Sequence, residues 1–246
     1  MFELVFHQRL HRPGTLIDIG AHDGAFAVPL SRLADSRVIA FEPLPSAFAR
    51  LERAMGAAHD GVPQHVTLRC EALGAVEDVL TLEVPVVAGV AQEQWASLVK
   101  DYVGMQCGDP GIEAVQRFTV PVRRLDGFGL TDVTSIKLDA EGAEGDVLRG
   151  AAETLARCRP VLSVEIEERH CVGSTRAVPR FLARLGYRGF YEFYGDWRPV
   201  EDFDPLALQR ASPSPAVFEA SHPYVFCFYF VPAERVAELA GLARLP

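Results

Sequence analysis

Leu16-Ile-Asp-Ile-Gly-Ala-His-Asp-Gly24 is the stretch that decides the fold. A short β-branched run from Gly14 ends at Gly20, and Ala25 to Ala34 then carries apolar residues at helical spacing. A strand that ends in glycine and turns tightly into a helix opens a parallel α/β sheet. Arg37-Val-Ile-Ala-Phe-Glu42 reads as a second buried strand, which Pro43 and Pro45 stop while opening a helix to about Met55. Val66 to Leu73 reads as a third strand.

Further along, the rhythm changes. Val79 to Val84 and Phe118 to Leu125 alternate apolar and polar residues, which predicts an inserted β-pair within an insertion at about 77–125. Between them runs a long loop, Ala88 to Gln116, with Trp95, Tyr102 and Met105. Loops of that length in compact domains are usually functional or mobile. Alternation then resumes: strand Val133–Leu138, helix Glu144–Ala156, strand Pro160–Glu165 and helix Thr175–Leu185. Gly189–Phe193 and Tyr224–Val231 read as a closing strand pair, with a last helix from about Ala233. No Gly/Ser tract or charge block marks a linker, so one domain over 1–246 is expected.

The 246 residues are 49% hydrophobic and 23% charged, enough apolar material for a full core. A net charge of −9 is poorly suited to tracking a phosphate backbone, which argues against nucleic acid as the routine substrate. Cys70, Cys107, Cys158, Cys171 and Cys227 are dispersed and read as reduced thiols in a cytoplasmic protein. The start, Met1-Phe-Glu-Leu-Val-Phe-His7, carries an early acid and is not a signal peptide. No run reaches the length of a membrane span, so no membrane partner is expected.

Glycines in the first turn let the backbone bend sharply and let a ligand lie against the main chain. Glu42, at the tip of the neighbouring strand, is placed to accept both hydroxyls of a ribose. That geometry serves NAD and S-adenosylmethionine alike. The spacing Gly20-x-x-x-Gly24 departs from the dinucleotide pattern, and Asp18 and Asp23 would repel a pyrophosphate. The same acids suit the cationic amino-acid end of S-adenosylmethionine. A nicotinamide-dependent oxidoreductase is the rival, and a plain βα turn with capping carboxylates the bland account. Glu71 and Ala72, ending the third strand, border an adenine ring in this arrangement; a solvent-facing Glu71 beside a core Leu73 explains the string as well.

Asp18-Ile-Gly-Ala-His-Asp-Gly24, Phe41-Glu-Pro43, Ile136-Lys-Leu-Asp-Ala-Glu-Gly-Ala-Glu144 and Val147-Leu-Arg-Gly150 together resemble the FkbM family of methyltransferases. The match runs from about Thr15 to Glu167, and its later strings are the distinctive ones. Beyond Glu167 it extends only through Leu185-Gly-Tyr187 and a final strand. The resemblance implies a Rossmann-like class I methyltransferase with a seven-stranded, mostly parallel sheet whose last strand is antiparallel. It also implies S-adenosyl-L-methionine as donor and O-methylation of hydroxyls on sugars, polysaccharides or polyketide-type natural products. His22 stands where many relatives carry Asn, and either braces the turn or places a titratable group beside the donor.

Alcohol methylation needs an acceptor oxygen held in line with the donor and a base for its proton. Ligands of open α/β sheets lie beyond the carboxyl ends of the strands. Asp139 ends the fourth strand of the alternating series and is the favoured positioning carboxylate, with Glu144 expected to cap the helix that follows. Lys137 shares a face with Asp139 and requires an acidic partner, Glu165 being the leading candidate. Glu165 and Glu167 share a face at the next tip, and His170 beyond them is a candidate base. Asp139, Glu165 and His170 offer hard ligands, yet nothing in their spacing demands a metal, and none is expected. Trp95, Tyr102, Tyr194 and Trp197 are candidates either for stacking on a small-molecule or glycan acceptor or for core and homo-oligomer contacts. A non-catalytic interaction module on the same fold is the remaining alternative.

Overall fold

The computed structural model describes residues 2–106, 111–209 and 224–242. Strands β1 (Gly14–Ile19), β2 (Ser36–Phe41) and β3 (Val66–Arg69) form one half of the main sheet. A second sheet follows, of β4 (Ala72–Leu73), β5 (Asp78–Val87), β6 (Val90–Ala91) and β7 (Ala114–Arg123). The main sheet is completed by β8 (Val133–Leu138), β9 (Val161–Glu165), β10 (Tyr187–Phe193), β11 (Asp196–Pro199) and β12 (Cys227–Pro232). Its order is β11-β10-β12-β9-β8-β1-β2-β3. The pairings among β3, β2, β1, β8 and β9 are parallel, and β12 runs antiparallel to both β9 and β10. Seven of these strands match the expected sheet; the eighth, β11, extends its edge as a hairpin with β10.

The helices are α1 (Phe2–Arg9), α2 (Ala27–Leu30), α3 (Pro45–His59), α4 (Tyr102–Gln106), α5 (Glu144–Gly150), α6 (Ala152–Cys158), α7 (Ser174–Arg184) and α8 (Pro205–Leu208). Both faces of the parallel strands are covered, as their continuous apolar sequences require. Leu16, Val38 and Ala40 pack with Leu51 and Met55 of α3 on one side. Ile17, Ile136 and Leu162 pack with Val147, Leu155 and Leu182 of α5, α6 and α7 on the other. A third cluster seats Phe6 of α1 against Tyr229 and Val231.

Several boundaries differ from expectation. The helix expected over 25–34 shrinks to one turn, α2. The strand expected over 66–73 breaks after Arg69, and Ala72–Leu73 crosses to the second sheet by pairing with β7. The helix expected over 144–156 breaks at Ala151, where Gly150 approaches Gly74: an added Cβ would stand 2.0 Å from the Gly74 carbonyl oxygen. The last helix is of 3₁₀ type, Ala233–Gly241. The inserted pair is present, with β5 and β7 antiparallel from Asp78↔Val122 to Val86↔Ala114. Part of its loop, including Cys107, lies outside the described residues. No helix among the described residues is long and apolar enough to cross a membrane.

Candidate active site

A cavity of about 320 Å³ opens beyond the carboxyl ends of β1, β2 and β8 and is roofed by the insertion. Its first wall is the turn from Gly20 to Asp23 with Glu42 beside it. His22 sits in this turn at φ 49°, a left-handed conformation that Asn would also adopt readily. The Glu42 carboxylate accepts from the backbone N–H of His22 and of Leu44, both at 2.8 Å. Those bonds fix its orientation while leaving a lone pair on each oxygen. Burial raises its pKa, against the pull of these two N–H groups. A ribose diol at this spot would supply the donors that the buried carboxylate still lacks.

Gly20 is required by close approach: at φ 75°, an added Cβ would lie 1.9 Å from the Asp139 carbonyl oxygen. Gly24 does not reach the cavity; it packs against Leu51 of α3. Asp18 also leaves its expected place. It is fully buried behind the strand tip, directly opposite Lys137 in the β1–β8 register, with the ammonium 3.6 Å away. Burial pushes Asp18 up to about 6, with Lys137 pulling the other way. Lys137 therefore pairs with Asp18, and with Asp139 at 3.5 Å, and donates to the Gly20 carbonyl at 2.7 Å. Its expected partner Glu165 lies two residues too far along β9, because Ser163 is the residue opposite Lys137. Burial acts to lower the Lys137 pKa, but Asp139 and Asp18 outweigh it and keep the amine protonated.

Glu71, Ala72 and Leu73 line the cavity as expected. Glu71 is held by Arg69 and Arg123, each 3.2 Å away, so its carboxylate is an ion-pair partner before it is a ligand acceptor.

A second part of the wall is the turn after β8, on the strand next to β1. Asp139 and Glu141 line the cavity there. Glu144 braces the turn, its Oε1 accepting from Ala140 N at 3.1 Å and Gly142 N at 2.9 Å, and burial pushes it up to about 7. Glu141, at φ 49°, is clasped by the insertion: Ser97 Oγ donates to its carbonyl at 2.8 Å and Lys100 Nζ to its carboxylate at 2.6 Å. Burial pushes Glu141 up to about 7, opposed by Lys100.

Glu165 and His170 stand behind Glu141 and do not line the cavity. Burial first, then Asp139, Glu141 and Glu167, push Glu165 up to about 10. Burial and the Lys100 charge push the His170 pKa down to about 3. Glu167 is held by a two-point contact from Arg169, at 2.6 and 2.8 Å, and by the Tyr224 hydroxyl.

None of the four aromatic candidates lines the cavity. Trp197 packs edge-on against Phe2 and Tyr229, Tyr102 is buried with its hydroxyl on the Trp95 carbonyl, and Tyr194 is exposed. Apolar contact in the roof comes instead from Leu82, Ala96 and Leu98. Two further acids were not singled out from sequence. Glu3 reaches the cavity from α1, and Glu93 ties the roof to α3 through Ser46 at 2.7 Å and Arg50 at 2.5 Å. Arg50 also donates to His22 Nε2 at 3.1 Å, so the roof and the first turn share one clamp.

The mostly parallel sheet, with its last strand β12 antiparallel to its neighbours, has the Rossmann-like fold of class I methyltransferases. A family model described as the methyltransferase FkbM domain matches residues 18–188, and the chain belongs to that family, whose methyl donor is S-adenosylmethionine. The fold is similar to the crystal structure of methyltransferase FkbM from Methylobacillus flagellatus KT, at a TM-score of 0.54 and 15% identity. That alignment covers 93% of this chain and 50% of the other, so the chain spans about half the length of that relative. A putative rRNA-methylase from Clostridium thermocellum aligns at a TM-score of 0.50 and 10% identity, covering 93% of each chain. No curated protein matches the chain.

Proposed function

We propose that this methyltransferase acts on oxygen, methylating a hydroxyl of a sugar, glycan or polyketide-type natural product. The observation that carries the reading is that Asp139, after β8, and Glu42, after β2, line one cavity from either side of the β1 tip. S-adenosylmethionine, when bound, supplies an activated methyl on a sulfonium. Glu42 takes the ribose hydroxyls, Glu71 to Leu73 border the adenine, and Asp23 faces the amino-acid end. Asp139 accepts a hydrogen bond from the acceptor hydroxyl and receives its proton as the new oxygen–carbon bond forms. The Lys137 ammonium, 3.5 Å behind it, keeps the carboxylate oriented. Leu82, Ala96 and Leu98 exclude water from the roof. A net charge of −9 favours a small neutral or cationic acceptor over nucleic acid. The free cysteines among the described residues suit a reducing compartment, the cytoplasm.

The test is incubation with S-adenosylmethionine and a panel of glycosides, polyketide alcohols and amines, scored for gain of one methyl by mass. Methylated hydroxyls, lost in Asp139→Asn while donor binding persists, are expected. Methylation confined to amines would overturn the choice of oxygen, and NAD binding without S-adenosylmethionine binding would overturn the donor.

A further inference from the structure

Behind the cavity, the turn after β8, the tip of β9 and the loop beyond it bring Glu141, Glu165, Glu167 and His170 together. We propose that Glu141, Glu165 and His170 form a binding site for a divalent metal cation, with Mn2+ the best-fitting type. One carboxylate oxygen from each glutamate and one ring nitrogen of the histidine all lie within 4.8 Å of one another. His170 Nε2 stands 3.4 Å from Glu141 Oε2 and 3.3 Å from Glu167 Oε1. Both separations exceed a normal N–H···O hydrogen bond, although the His170 side chain is only 5% exposed. Donor atoms bound at about 2.1 Å to one ion lie roughly 3.0–3.4 Å apart, a spacing that His170 Nε2 and Glu141 Oε2 already have, with the Glu165 oxygen within 4.8 Å of both.

Charge points the same way. Three carboxylates converge where Lys100 and Arg169 supply two compensating cations. Two carboxylates and one imidazole are a mixed oxygen and nitrogen set, which suits Mn2+ better than calcium, an oxygen-seeking ion, or thiolate-seeking metals. The triad differs from the one compatible with the sequence in taking Glu141 in place of Asp139. Asp139 is turned toward Lys137, whereas Glu141 is drawn toward His170. Lys100 Nζ, 2.6 Å from Glu141, occupies ground that a dication would contest. Because Glu141 also lines the cavity, an ion held behind it would act on the cavity wall through that residue. What the ion would do rests on the O-methyl proposal; whether it binds does not.

Mn2+ titration of the full chain, followed by calorimetry and by the electron paramagnetic resonance signal of the free ion, decides it. One Mn2+ per chain is expected, with binding at least ten-fold weaker in Glu165→Gln and in His170→Ala, and tighter in Lys100→Met, which removes the competing ammonium. Circular dichroism and S-adenosylhomocysteine binding monitor each variant, and the near-isosteric Glu165→Gln carries the test if His170→Ala does not fold. Absence of Mn2+ binding, or binding that is unchanged in Glu165→Gln, would overturn the site. S-adenosylhomocysteine binding by the wild type is scored separately, so failure of the donor reading and failure of the metal site give different results.

Discussion

The turn after β1 and the turn after β8 are built on one plan and put to different uses. Each leaves a parallel strand tip, and each holds a non-glycine residue in the left-handed region, His22 and Glu141, both at φ 49°. Each is braced by a buried carboxylate that accepts two backbone N–H groups. In the first turn that carboxylate is Glu42, which comes from the neighbouring strand and lines the cavity. In the second it is Glu144, which comes from the turn's own helix and does not. The same hydrogen-bond device therefore presents a carboxylate to the cavity in one turn and acts only as a brace in the other. What decides between them is the element that supplies the carboxylate, not its residue type or its bonds.

Three substitutions probe that contrast, in order of expected effect. Asp139→Asn in the second turn should lower turnover by about 10²–10⁴-fold, the usual worth of a positioned base, with donor affinity unchanged in calorimetry. Equal turnover would move proton acceptance to Glu141. Glu144→Gln should change stability rather than binding. Its folded carboxyl is raised from 4.5 to about 7, so between those values the native state holds a proton that the unfolded chain has released. The stability tied to that proton is full below 4.5 and is lost as pH rises to about 7, on the order of 3 kcal/mol in all. Gln still accepts both N–H groups but does not titrate, so urea midpoints of the variant should fall less than wild type between about pH 5 and pH 8. Parallel midpoint curves would show that Glu144 is not held protonated. His22→Asn keeps the left-handed turn and loses the Arg50 contact and the long contact to Asp23, so donor binding should shift by no more than about 1 kcal/mol. A larger loss would place the imidazole itself against the donor.

The sheet was legible from sequence because its strands are buried on both faces and its turns carry glycine at strand tips. Glu42 and Asp139 were legible for the same reason: a residue at a strand tip can be placed by counting along one strand. What depended on register between strands was not. Asp18 and Lys137 are opposite each other across 118 intervening positions of sequence, and periodicity within either strand is silent about that pairing. Glu165 was a plausible partner by chemistry and lies two residues beyond the one that pairs. Glu3, Glu93 and Trp197 took their places through tertiary packing of segments with weak local patterns. Trp197 looked like part of a binding surface because composition alone does not separate stacking on a ligand from stacking on Phe2 and Tyr229.

S-adenosylhomocysteine binding measured by calorimetry in wild type, Glu42→Ala and Glu144→Gln tests the contrast between the two turns most directly. Loss of the Glu42 carboxylate should weaken binding by about 1.5–3 kcal/mol, the scale of hydrogen bonds to a charged group, while Glu144→Gln binds as wild type does. Unchanged binding in a folded Glu42→Ala protein, or an equal loss in Glu144→Gln, would contradict the assignment of the first turn to the donor and the second to support.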